Sequence, residues 1–122
     1  MIGYTMLGTN DLPRAAAFYD ALFGELGAKR MMQDDRFVAW AVDPQKPGFG
    51  VGKPHDGKPA SVGNGVMIAL VVDSAAKVDA LYGKALALGG TDEGPPGQRG
   101  PGFYAAYFRD LDGNKLNAFF PG

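Results

Sequence analysis

The chain has no cysteine and only one histidine, His55. The first absence excludes disulfides, thiolate metal sites and a cysteine nucleophile. The second excludes any metal centre built from several histidines. No apolar run approaches the roughly 20 residues that a membrane span needs, and the N-terminus carries no signal-peptide pattern. The cytoplasm is therefore the expected location. Neither sign of charge is in excess, with 12 Lys and Arg against 13 Asp and Glu. The formal net charge is −1, which gives no case for nucleic acid or an acidic membrane surface as partner. What remains is ordinary globular material: 122 residues, 46% apolar and 20% charged, enough for one domain. Glycine is abundant at 19 residues and gathers in 48–65 and 89–102. The sequence around it is too apolar for disorder.

Periodicity divides the chain into elements. "IGYTMLG", 2–8, alternates as a strand. Asn10 or Asp11 can cap a helix, with Pro13 in its first turn. Leu12, Ala16, Tyr19 and Phe23 follow at helical spacing, and Gly24 or Gly27 ends the run. "AKRMMQ" and "RFVAWAV" read as strands around an Asp34-Asp35 turn, and "FGVGK" as a short fourth strand. Residues 54–64, rich in Gly, Pro and Ser, read as a linker. The order then repeats. "VMIALVV" is a strand, with Ile68, Leu70 and Val72 facing a helix and Met67, Ala69 and Val71 opposite. Ser74 caps a helix with Val78, Leu81, Tyr82, Ala85 and Leu86 on one face. "GGTDEG" holds a turn and a short strand. "PPGQRGPG" is expected to be a loop, and 94–102 a flap. "FYAAYFR" and "NKLNAFF" are strands joined by the hairpin turn "DLDGN".

The halves superpose as sequence. Tyr19 falls on Tyr82, Gly27 on Gly90 and Leu7 on Leu70, all at an offset of 63. With a short indel, "FVAWAVD" falls on "FYAAYFRD" at 66. This is a duplicated βαβββ unit, an α+β class, rather than a repeat array. The expected boundaries are module one at 1–53, linker 54–64 and module two at 65–122. Each helix covers one face of a four-stranded mixed sheet, and the other face must pack or line a cavity.

Three stretches, "YTMLGTNDLPRAAAFYDALFG", "VMIALVVDSAAKVDALYGKALALGG" and "YFRDLDGNKLN", resemble the vicinal-oxygen-chelate superfamily. That superfamily includes glyoxalases, bleomycin-resistance proteins, thiol-transferring fosfomycin-resistance proteins and extradiol dioxygenases. The resemblance spans nearly the whole chain. The last stretch is similar to the family's D-P-x-G-N-x-x-E hairpin, with Leu111 in place of proline. The resemblance implies two βαβββ modules curled into a cup, and a homodimer. It also implies, in metal-using members, one divalent ion held by a His on the first strand and a carboxylate on the last strand of each module.

Laid on those positions, this sequence departs from the pattern. The two His positions fall on Tyr4 and Met67. The terminal carboxylate position falls on Asn117, and its first-module counterpart lies within Phe49–Gly52, which has no ligating side chain. A phenol, a thioether and a neutral amide make a poor site for a hard cation, so no metal cofactor is expected. They suit a small-molecule pocket on the cup floor. An Asn on a strand near a chain terminus is otherwise usually solvent-exposed, and a strand Tyr or Met usually core. Trp40, Tyr104 and Arg99 are further binding candidates. Arg99, or Arg109, would meet an anion; aromatics on these strands are core by default, and their phase is open. His55 reads as an exposed loop residue, and Asp110 and Asp112 as hairpin formers. No catalytic residue is assigned.

The leading expectation is a glyoxalase/bleomycin-resistance-like protein without the family's metal ligands, binding a small, partly apolar molecule. The alternative is an enzyme of glyoxalase, thiol-transferase or dioxygenase type with a relocated metal, or a metal-free one using Tyr4. Tyr4 would then need a pKa nearer neutrality. A third is an interaction protein whose cup is filled by its own side chains.

Overall fold

Asp11 starts the first helix. Its side chain accepts a hydrogen bond from the Arg14 N–H at 3.1 Å, and Pro13 sits in the first turn where no N–H is needed. The helix, α1, runs Leu12–Gly24. It closes through Gly27 at φ +71°, with the Ala28 N–H bonded to the Phe23 carbonyl. The computed structural model describes residues 1–122, which form two units, 1–62 and 63–122.

In the first unit, α1 lies between the strands β1 (Tyr4–Gly8) and β2 (Lys29–Gln33), which β3 (Phe37–Ala41) and β4 (Gly48–Gly52) follow. The sheet order is β1-β4-β3-β2, with β1 parallel to β4 and the other pairs antiparallel. The apolar stripe of α1 covers one sheet face. Tyr19 and Phe23 pack on Trp40 and Phe49, with ring centroids 4.8 to 5.8 Å apart. Such aromatic contacts add about 0.5–1.5 kcal/mol each beyond the area they bury.

The second unit repeats the plan with β5 (Ile68–Val71), α2 (Ala75–Ala87), β6 (Thr91–Gln98), β7 (Tyr104–Arg109) and β8 (Lys115–Phe120). The order is β5-β8-β7-β6, and β5 is again parallel to its neighbour. Ser74 caps α2 through the Lys77 N–H. Val78, Leu81 and Ala85 are fully buried against the sheet, where Phe108, Leu116 and Ala118 are fully buried too. The helices occupy equivalent positions (75 − 12 = 63), the offset read from sequence.

Two expectations need correction. The stretch "PPGQRGPG" is not a loop throughout. Thr91–Gln98 is one edge strand paired to β7, with register breaks around Gly94. Pro95 and Pro96 lack N–H donors, but an edge strand with a bulge loses little by that. Only the turn Arg99–Phe103 remains, closed by the Arg99 N–H to the Phe103 carbonyl at 2.8 Å, so 94–102 is not a free flap. The strand equivalence also shifts. Ala39 pairs with Gly50 as Tyr107 pairs with Asn117, which matches Trp40 with Phe108 (108 − 40 = 68) rather than with Ala106. A two-residue slip keeps every side chain on its face, so the alternation could not expose it. The division between the two units falls at 62/63. Asn10 makes two hydrogen bonds to the backbone of Ala60, at 2.7 and 3.1 Å, holding that part of the 54–64 segment to the first unit.

Candidate functional site

Each sheet has one face under its helix and one face free of it. Which residues lie on which follows from register. In the first unit, Tyr4 and Met6 of β1 stand opposite Gly48 and Gly50 of β4, and Ala39 of β3 opposite Gly50. All are on the helix-free face, because Phe49, Val51 and Trp40 are on the other. Tyr4 and Met6 are exposed, and Tyr4 meets Phe37 edge-on at 6.0 Å. The glycines of β4 provide the space. A Cβ on Gly50 would stand 2.4 Å from the Phe37 ring, and one on Gly52 would stand 3.1 Å from both Met6 Cε and Phe37 Cδ2. The Phe37 ring and the Met6 side chain therefore lie down across bare backbone. Met31, whose Sδ approaches Gly48, adds a third apolar group.

In the second unit, Asn117 pairs with Ala69 on one side and Tyr107 on the other, on the helix-free face. It is only 1% exposed. Its Nδ2 donates to the carbonyls of Ala106 (3.0 Å) and Ala118 (3.2 Å). These bonds fix the amide, because the flipped form would set Oδ1 against two carbonyl oxygens. Asn117 is thus a buried, oriented amide and not the exposed residue common on a strand near a chain terminus. Met67, just before β5, is 39% exposed.

Arg99 also reaches this face. Its guanidinium carbon lies 5.6 Å from the centre of the Tyr107 ring, and Lys115 Nζ lies 5.4 Å from it. Arg109 does not remain available, since it pairs with Glu93 and donates to the Gly113 carbonyl at 2.9 Å. The hairpin that carries β8 is tied by Asp110. Its Oδ1 accepts the N–H groups of Asp112 (2.9 Å) and Asn114 (2.8 Å), and Gly113 takes φ +88°.

Two other aromatic candidates point to the helix side. Trp40 is 1% exposed, and its Nε1 donates to Asp20 Oδ1 of α1 at 2.8 Å. Tyr104 donates its hydroxyl to Asp79 Oδ1 of α2 at 2.7 Å. That hydrogen bond, with some desolvation, raises the phenol above its usual pKa. Burial and the bond to Asp92 do the same for Tyr82. Both tyrosines tether a helix and are held neutral. The reason they point this way is the phase of β3 and β7, which composition leaves open. Counting by twos from Asn117 would have found Lys115 on the same face, and the cross-strand partner of Asn117 is Tyr107. His55 is exposed in its loop.

A groove of about 770 Å³ in the first unit lies elsewhere. It runs beside the start of α1 and the β2–β3 turn, lined by Leu12, Arg30, Asp34, Asp35 and Lys53 among others. Charges of both signs line it, and no residue of the helix-free face does. No three His, Cys, Asp or Glu side chains come together in a way that could hold a metal ion.

Comparison with known proteins gives a consistent result. The family model described as Glyoxalase/Bleomycin resistance protein/Dioxygenase superfamily matches residues 1–118. A glyoxalase/bleomycin resistance protein from Albidiferax ferrireducens T118 is 38% identical, with a TM-score of 0.87 over 98% of this chain and 97% of that one. A hypothetical protein from S. aureus is 27% identical, with a TM-score of 0.76 over 98% and 92%. A lactoylglutathione lyase from Agrobacterium tumefaciens shares the fold, at 23% identity and a TM-score of 0.72 over 98% and 92%. No curated protein matches by sequence.

Proposed function

Because the chain belongs to the Glyoxalase/Bleomycin resistance protein/Dioxygenase superfamily, we propose that it binds a small, partly apolar molecule on its helix-free sheet faces, without a divalent metal. The observation that carries this reading is Asn117. It occupies the position of the family's terminal carboxylate, yet it is neutral and its two amide hydrogens are committed to backbone carbonyls. The register supplies its counterpart in the first unit. Met6 opposes Gly50 as Ala69 opposes Asn117, so that position has no side chain. The two first-strand positions carry Tyr4 and Met67, neither of which is a good ligand for a hard cation. This donor set does not fit the family's metal.

What these faces offer instead is adaptable apolar surface and neutral hydrogen bonding. Tyr4, Met6, Met31 and Phe37 can shift against a ligand at little cost, since methionine has three soft torsions and the β4 backbone beneath is bare. Binding without turnover needs only this. The test is thermal unfolding in chelator against a panel of small aromatic and amphipathic compounds. Some should raise the melting temperature in proportion to the logarithm of their concentration, and Tyr4→Ala or Met6→Ala should reduce the shift. Stabilisation seen only after a divalent metal is added would overturn the reading.

A further inference from the structure

The glycines of β6 have a consequence on the helix-free face of the second unit. A Cβ on Gly97 would stand 2.9 Å from Arg99 Nη1. One on Gly94 would stand 3.2 Å from both Arg99 Nη2 and Tyr107 Cδ1. The guanidinium therefore folds back along β6 and lies beside Tyr107, over the space that Gly94 and Gly97 leave open. The Pro95 carbonyl holds it by one hydrogen bond of 2.6 Å. A guanidinium has five N–H donors, so most of its donor capacity is unspent. Lys115, on β8, brings a second cation to the same ring. The ion pairs of this unit lie elsewhere: Arg109 with Glu93, and Lys77 with Asp73. Three further acids of this unit already accept hydrogen bonds. Asp92 accepts from Tyr82 and the Gly94 N–H, Asp79 from Tyr104, and Asp110 from its own turn.

We infer that the molecule bound on this face is an organic anion, a carboxylate or similar group on a compact apolar body, with its charge met by Arg99 and Lys115 beside Tyr107. This rests on the small-molecule reading above and names the ligand's class. The Tyr107 ring contacts both cations before any ligand arrives, Arg99 from the β6 side and Lys115 from β8. A guanidinium with free parallel N–H groups matches a carboxylate's two oxygens. The ligand's apolar part has Phe119, Ala69 and Val71 on the same face.

The experiment titrates benzoate and its neutral isostere benzamide into the full chain, followed by the backbone amide signals of Tyr107 and Lys115 and the Arg99 Nε–H signal. Benzoate should shift these signals saturably. Benzamide should bind about tenfold or more weakly, the loss expected when a hydrogen bond to a charged group becomes neutral. Arg99→Gln and Lys115→Gln should each weaken benzoate several-fold while leaving benzamide unchanged, and Lys46→Gln should do nothing. Raising salt should weaken benzoate alone. Equal binding of both compounds, or benzoate binding indifferent to Arg99→Gln, overturns the anion inference and leaves the small-molecule reading standing. Shifts from neither compound at these residues overturn the anion inference, while the melting-temperature panel decides the small-molecule reading.

Discussion

At the scale of the residue, Asn117 decides most. A buried amide whose donors meet two carbonyl acceptors is worth keeping only as an amide. Asn117→Asp changes one atom pair and little volume, but it sets a carboxylate against the carbonyls of Ala106 and Ala118. The expected loss is about 3 kcal/mol at neutral pH, from two lost donors and an unpaired buried charge. The introduced carboxyl should have a raised pKa in the folded state. The penalty should therefore shrink as pH falls through that value, where the protonated group can donate again. Urea unfolding of both proteins from pH 4 to pH 8 measures this. Equal stability at pH 7 would mean that the amide is not committed as described.

Elements are held in register by side-chain bridges that resemble one another in the two units. In the first, Arg30 of β2 grips Asp20 of α1 with two hydrogen bonds (2.9 and 2.7 Å), and Trp40 donates to the same carboxylate. The hydrogen bond from Arg30, ahead of that from Trp40, holds the Asp20 carboxyl below its ordinary value in spite of some desolvation. A lowered folded pKa contributes stability that is complete above the unfolded pKa and disappears as pH falls through the folded one. The stability difference between the protein and Asp20→Asn should thus be flat from pH 7 to about 5 and shrink below about pH 4. Chemical denaturation along that series reads it directly, and a difference that persists at pH 2 would refute the bridge. Both partners are partly exposed, so salt should reduce the effect. In the second unit the tethers are phenols, Tyr104 to Asp79 and Tyr82 to Asp92. Their raised pKa values reverse the sign: that contribution is whole below pH 10 and is lost as pH climbs beyond it.

For the whole molecule, each unit fills its own core with apolar side chains and without a disulfide. Tyr19, Leu22, Trp40 and Val51 in one, and Val78, Leu81, Phe108 and Leu116 in the other, are at most 1% exposed. A tightly held ion would stabilise the native chain by about 2.7 kcal/mol at a hundred times its dissociation constant, a shift of several degrees. Prolonged dialysis against a chelator should leave the melting temperature unchanged, and elemental analysis should find no stoichiometric metal. A drop of several degrees, reversed by one particular ion, would place a metal in the fold after all.

The sequence by itself determined the duplication, the order of elements, the Ser74 cap of α2 and the two faces of β5. These depend on local chemistry and on alternation, which one chain displays in full. It also named Asn117, Tyr4 and Met67 by position. Tertiary structure alone decided the phase of the aromatics, sending Trp40 and Tyr104 to the helices and Tyr107 to the free face. It alone turned "PPGQRGPG" into an edge strand, chose Arg99 over Arg109 as the unpaired cation, and buried Asn117. The physical reason is the same in each case. Which partner a side chain meets across strands depends on bulges and register, and these are set by the packing of distant segments, not by the residues next in line.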